Sequence, residues 1–305
     1  MIKNFFFLFI SLISFLAAAD KEIFVESTHA KLFCRIYGEG DPLIVIHGGP
    51  GLNQDYLLPQ MQRLAEHNLV IFYDQRGCGQ STGDINSESM QIEVFLNDIE
   101  AIRKGFGFEK IAILGHSWGG FLAMNYAIVY PEKVDKLILL NSVPPSNEEF
   151  ELFGAEWQKR TVSIQDELAQ MHETKEYKEG APDTIEHLYR TLFHFYCFHP
   201  EKANLLNLRT TATAALNGRK VHDFFTSNIL SKPFNLHAKL QKLTMPTLIV
   251  HGDSDIIPFC TAQNTHKSIR ESQFVLIPNC GHFPYVEESE VLFSALKRFL
   301  NEKAG

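Results

Sequence analysis

Six short apolar runs constrain the fold of this chain more than any other feature. They are PLIVIHG at 42–48, LVIFYDQ at 69–75, KIAILGHS at 110–117, KLILLNS at 136–142, MPTLIVHGD at 245–253 and SQFVLIPN at 272–279. Runs of this length read as strands buried on both faces of a parallel sheet. Helical patterns separate the early ones, over about 52–67, 87–105 and 118–130, and 287–301 reads as a closing amphipathic helix. Residues 22–37 alternate as a hairpin pair of strands. The alternation predicts an α/β domain, a mostly parallel sheet flanked by helices. Between the fourth and fifth runs the pattern is helical with no strong strand. The segment 145–238 therefore reads as a helical cap inserted into a core made of 20–144 and 239–305. A chain of 305 residues has room for one large core plus such an insert.

The third run passes straight into a helical pattern through GHSWGG, residues 115–120. The bare Gly-x-Ser-x-Gly pattern recurs by chance in roughly one chain in ten of this length, so its placement decides its meaning. Between a strand and a helix it is a nucleophile elbow: the turn strains the backbone at Ser117, and small neighbours leave its hydroxyl exposed above the sheet. The helix start beneath offers free amides and a positive dipole to an anion. A serine hydroxyl is a weak nucleophile that needs a base, and the base needs an orienting acid. Downstream, NCGHFPY places His282 in a loop after the last strand, and HGDSD places Asp253 and Asp255 after the strand before it. His282 is the expected base. Asp255 is favoured as the acid because it lies farther into its loop, and Asp253 is the alternative. HGGPG at 47–51 ends the first parallel strand with accessible amides. An oxyanion hole from the Gly49 and Trp118 amides is expected. His47, His116 and His251 read as structural.

Composition narrows the partners. The net charge is −8, which argues against a nucleic-acid partner, since that would want a basic face. The N-terminal MIKNFFFLFISLISFLAAAD has the pattern of a secretory signal cut after Ala19, so an exported protein, periplasmic or secreted, is expected, without stable membrane insertion after cleavage. Five widely spaced cysteines form neither a disulfide framework nor a metal site, although one or two bridges are open to them. No metal or cofactor is called for by the residues.

HGGPG, DQRGCGQS (74–81), GHSWGG, HGDSD and GHFPY stand in an order that resembles the α/β-hydrolase fold, and more narrowly the proline iminopeptidase group of serine peptidases. The resemblance covers roughly 40–145 and 243–300. It implies Ser117, Asp255 and His282 as the triad, a loop over the site fixed by Asp74 and Arg76, and a substrate amine held by acidic residues of the cap. In the stretch similar to the family's aromatic cap motif, YRTLFHFYCFHPEK (189–202), Leu192 and Phe193 stand where an acidic residue is expected. Glu148 and Glu149, with Glu151 and Glu156 nearby, are the alternative amine site, and Phe193 and Tyr196 the expected apolar wall. The sequence thus points to a serine hydrolase forming an acyl-enzyme on a small peptide or ester substrate. An aminopeptidase releasing N-terminal proline or another small residue is the first reading. An esterase or amidase is the second, and a non-catalytic binding relative the third.

Overall fold

A computed structural model describes residues 20–302; the expected signal segment, 1–19, lies outside them. Eight strands among the described residues form one sheet: β1 Lys21–Ser27, β2 Ala30–Tyr37, β3 Asp41–Ile46, β4 Asn68–Tyr73, β5 Ile111–His116, β6 Val134–Leu140, β7 Thr247–Gly252 and β8 Ser272–Ile277. Their order is β1-β2-β4-β3-β5-β6-β7-β8. β1 and β2 pair antiparallel, as do β2 and β4, and every later pairing is parallel.

Burial explains why these runs became strands. Every residue of β5 and of β7 is buried, so neither face can be polar. Side chains alternate between two apolar layers. Ile44, Ile113 and Leu139 pack with Ile99 and Leu122 of α1 (Ile92–Gly105) and α2 (Trp118–Val129). Leu43, Leu114 and Ile138 face the other way, toward Leu292 and Leu296 of a C-terminal helix, Ser289–Asn301. The edge strands β1 and β8 are half exposed.

The strand order creates the site. After β3 the chain turns outward to β4; after β4 it crosses back over β3 to β5. The loops leaving β3 and β5 therefore part company between two neighbouring strands, which opens a crevice at the carboxyl edge of the sheet. Ile46 is paired with Gly115, so HGGPG and Ser117 emerge side by side. Leu140, Gly252 and Ile277 end their strands at the same edge.

Between β6 and β7 lies a helical insert: α3 Asn147–Thr161, α4 Gln165–Glu173, α5 Lys175–Lys178, α6 Pro182–His194 and α7 Ala212–Phe225, followed by α8 His237–Leu240. Its two stems are zipped together. Asn147 N donates to Phe234 O at 3.1 Å and Leu236 N to Pro145 O at 2.9 Å. α9 Phe259–Ser268 follows β7, and α10 Pro284–Glu287 and α11 Ser289–Asn301 follow β8.

Two helical expectations change. Residues 52–67 form two 3₁₀ segments, Gln54–Leu57 and Gln60–Glu66, parted at Leu58–Pro59, because proline lacks the amide that a continuous helix would need. The helix expected from 87 begins at Ile92. The Asn86 side chain takes the amides of Glu88 and Ser89 at 2.9 and 3.0 Å, and that local turn competes with helix.

Candidate active site

Ser117 stands between β5 and α2 with φ 55° and ψ −121°, a conformation that costs a non-glycine residue roughly 1–3 kcal/mol. The surroundings hold it there. Ser117 N donates to Leu140 O at 3.0 Å, and Ser117 O accepts from Gly120 N at 2.9 Å and Val143 N at 3.1 Å. Gly119 is required by close approach, since a Cβ there would collide with the Ile46 and His47 carbonyl oxygens. The first amides of α2, Trp118 included, have no carbonyl a turn behind them.

At the far end of the same sheet edge, His282 Nδ1 lies 2.9 and 3.1 Å from the two carboxylate oxygens of Asp255, with both side chains buried. Asp255 Oδ2 also accepts from Asn141 Nδ2 at 2.7 Å, and Oδ1 from Ile257 N at 3.1 Å. Burial works to raise this carboxyl; the nearby His282 and His251 and the hydrogen bonds from His282 and Asn141 outweigh it and hold the carboxyl down at about 2. Asp253 is spent elsewhere, accepting from Ser254 Oγ at 2.8 Å in the turn. His251 is buried beside Asp255, donates through Nε2 to Ile257 O at 2.8 Å, and is kept neutral first by burial.

Two devices fix the backbone of the His282 loop. Glu287 Oε1 accepts from Gly281 N at 3.1 Å and Phe283 N at 3.2 Å, gripping the residues on either side of His282, while Oε2 accepts from Phe198 N of the insert at 2.7 Å. Tyr196 O accepts from His282 N at 2.8 Å. On the acid loop, Arg160 of α3 donates to Ser254 O and Asp255 O, each at 2.9 Å.

A buried relay connects this loop to HGGPG. Gly48 N donates to Tyr56 Oη at 2.7 Å, and Tyr56 Oη lies 2.6 Å from His116 Nδ1. His116 Nε2 lies 2.9 Å from His282 O. A carbonyl only accepts, so Nε2 carries the proton and Nδ1 receives the tyrosine hydroxyl. Burial lowers His116 to about 3, which keeps it neutral. His47 is tied in parallel: Nδ1 donates to Gly48 O at 2.8 Å and Nε2 accepts from Gln75 N at 3.0 Å. Gln75 also accepts from the Trp118 indole at 3.1 Å. The DQRGCGQS loop is anchored by a buried bidentate pair, Arg76 to Asp98 at 2.7 and 2.6 Å. Asp74 accepts from Gln54 N at 3.0 Å and Gln80 N at 2.8 Å. Cys78 is buried, and burial followed by the Asp74 charge drives its thiol upward, away from thiolate reactivity. All five cysteines are free.

Ser117, His282, Gly49 and Trp118 line one cavity of about 890 Å³ beneath the helical insert. Phe193 and Tyr196 line it too, with Phe193 4.9 Å from the Phe283 ring and Tyr196 5.4 Å from that of His282. Glu148 and Glu149 do not. Glu148 faces solvent. Glu149 is buried at the base of α3, where it binds Ser146 Oγ at 2.9 Å, His237 Nε2 at 2.9 Å and Asn264 Nδ2 at 2.9 Å. The two glutamates stay off this wall: Ser146 caps α3, its hydroxyl accepting from Glu149 N at 3.4 Å and donating to the Glu149 carboxylate, and that S-N-E-E spacing was readable in the sequence. Glu156 pairs with Arg160 at 2.8 Å and is also absent from the wall. The carboxylate on the wall is Asp223 of α7. Among the described residues no group of three or more His, Cys, Asp or Glu side chains is placed to hold a metal ion. Tyr56, Arg160 and Glu287 escaped the sequence reading; Tyr56 and Glu287 stand a few residues after HGGPG and GHFPY, while no motif adjoins Arg160.

The family described as alpha/beta hydrolase fold matches residues 41–289. A proline iminopeptidase of Saccharolobus solfataricus is 32% identical, with 92% of this chain and 91% of that protein covered. One from Clostridium botulinum is 28% identical, covering 89% and 95%. Among solved structures, a proline iminopeptidase of Mycobacterium smegmatis superposes with a TM-score of 0.69 at 22% identity, covering 92% and 97%. A thermophilic esterase from Thermogutta terrifontis superposes at 0.66 and 23%, covering 92% and 98%.

Proposed function

The chain belongs to the alpha/beta hydrolase fold family, and from that premise we propose that it is a serine hydrolase acting through an acyl-enzyme, an aminopeptidase that releases proline or another small residue from the N-terminus of small peptides. The observation that carries the reading is the convergence of Ser117, the Asp255–His282 pair and the first amides of α2 on one cavity at one sheet edge. Asp255 occupies Nδ1, so the lone pair that takes the serine proton is on Nε2. Ser117 Oγ attacks the carbonyl, the Gly49 and Trp118 amides receive the oxyanion, and His282 passes the proton to the leaving amine. Water then repeats the sequence on the acyl-enzyme. Buried Asp255, ionised at all working pH, stabilises the imidazolium that forms. The relatives named proline iminopeptidases support the peptidase choice.

A second reading, ester or amide hydrolysis without amine recognition, is favoured by the cavity wall, whose carboxylate, Asp223, is 3.3 Å from Arg219. One assay separates the two: proline p-nitroanilide against its N-acetyl form and p-nitrophenyl esters. The first reading expects cleavage of the free amine and its loss on acetylation; ester cleavage without the free amine substrate establishes the second. Ser117→Ala and His282→Ala are each expected to reduce turnover by about a thousandfold or more, and retained activity in either removes the assignment.

A further inference from the structure

We infer that the cavity selects substrates that carry a carboxylate, and that Arg219 of α7 is the residue that reads it. The inference rests on the hydrolase reading and refines its substrate class.

The wall is mostly aromatic and aliphatic, with Phe153, Trp157, Leu188 and Tyr189 among its residues. Such a surface gives affinity without orientation, so the few charged groups on it set direction. Those charges are Arg209, Arg219 and Asp223: two guanidinium groups against one carboxylate. The net charge of these groups is positive, so a carboxylate on the substrate meets its complement there.

Of the two arginines, Arg219 is the built one. Its Nη1 is 3.3 Å from Asp223 Oδ2, its Nη2 donates to Lys178 O at 3.2 Å, and its guanidinium stands 5.5 Å from the Tyr177 ring centre. These contacts fix the fork and leave part of it open. The Nε–H is buried and has no partner among the described residues. The side chain is about a quarter exposed, and a carboxylate that meets the exposed part of the guanidinium makes charge-assisted bonds with it. Asp223 is more than half exposed, so solvent weakens its claim on the guanidinium. Arg209 is exposed and offers no such fixed geometry.

Arg219 is also held in register with the chemistry. Its neighbour Gly218 lies backbone to backbone against Gly51 of HGGPG, where a Cβ on either glycine would collide with the carbonyl oxygen of the other. His222, one turn on, stands beside the Pro50 backbone. The arginine thus rides on the loop that supplies the Gly49 amide.

The test uses matched pairs on the full chain. Prolylglycine is compared with prolylglycinamide, which differ by a carboxylate in the leaving group. Mono-p-nitrophenyl glutarate is compared with p-nitrophenyl butyrate, which places the carboxylate in the acyl group. At least one pair is expected to show a tenfold or larger preference in kcat/KM for the carboxylate form. Arg219→Gln should erase that preference, and Arg219→Lys should restore part of it. Calorimetry of monomethyl glutarate and dimethyl glutarate with the Ser117→Ala chain reads the same preference without turnover. Equal handling within both pairs and equal binding of the two glutarates would overturn the inference, as would a preference that survives in Arg219→Gln. A wild-type chain that cleaves none of the esters or peptides defeats the hydrolase reading itself, while the calorimetry still judges Arg219.

Discussion

The hydroxyl of Tyr56 takes a proton from Gly48 N and gives its own to His116 Nδ1, and so touches both halves of the candidate site at once. Its value can be isolated because a second buried tyrosine stands in the same cluster. The Tyr285 ring is 5.8 Å from His116, but its hydroxyl has no hydrogen-bond partner among the described residues. Tyr56→Phe strands a buried amide and a buried ring nitrogen, at a cost of about 1–3 kcal/mol. Tyr285→Phe strands nothing and relieves a buried hydroxyl of its desolvation. We expect Tyr56→Phe to lower the midpoint of thermal unfolding and to reduce kcat, since the HGGPG loop and the His282 carbonyl lose their common tie. Tyr285→Phe is expected to leave kcat unchanged and to hold or raise the midpoint. Unfolding and steady-state kinetics on the two variants suffice, and equal behaviour would mean that the relay carries no weight.

Glycines do opposite work on two helices of the insert. Gly218 of α7 meets Gly51, whereas a Cβ at Gly154 of α3 would find nothing within 4 Å. Gly154→Ala is therefore expected to stabilise by roughly 0.5–1 kcal/mol through helix propensity. Gly218→Ala, with the same propensity gain, is expected to lower both stability and kcat/KM, because α7 must lift from the loop that it braces. Urea unfolding of the pair checks this, and a stabilised Gly218→Ala would show that the helix is free to move. The contrast also marks where sequence was a sufficient guide. The apolar runs announced β3 to β8 because burial on both faces leaves no other use for them, and GHSWGG announced its turn because only small residues permit Gly119 to approach the Ile46 carbonyl. Glu148 and Glu149 were misjudged because charge alone does not say which way a helix faces; the Ser146 cap does. Arg219 and Tyr56 were illegible for a different reason. Their partners, Lys178 and Gly48, His116, come together only after the chain has folded, and no local pattern records that meeting.

Two buried carboxyls give the whole molecule opposing responses to acid. Asp255 is held at about 2, below its unfolded value, so its contribution is complete above the ordinary carboxylate range and disappears as pH falls through about 2. Asp74 is raised to about 6, first by burial, which outweighs the amides of Gln54 and Gln80. Its sign is reversed: the folded chain binds a proton more tightly than the unfolded chain, so this contribution is complete below about 4 and is lost as pH rises through about 6. Between these values Asp74 makes the folded state weaken with rising pH while Asp255 is silent. Asp74→Asn removes the titration. The variant is expected to be less stable throughout, because an amide NH2 only donates where the second carboxyl oxygen, protonated or not, can still accept from a backbone N–H. The slope, and not the offset, carries the test. Urea unfolding at several pH values from 4 to 7 should show the stability gap between wild type and Asp74→Asn narrowing as pH rises. A constant gap would mean that Asp74 is ionised across the whole range, and that the amides of Gln54 and Gln80 overcome its burial.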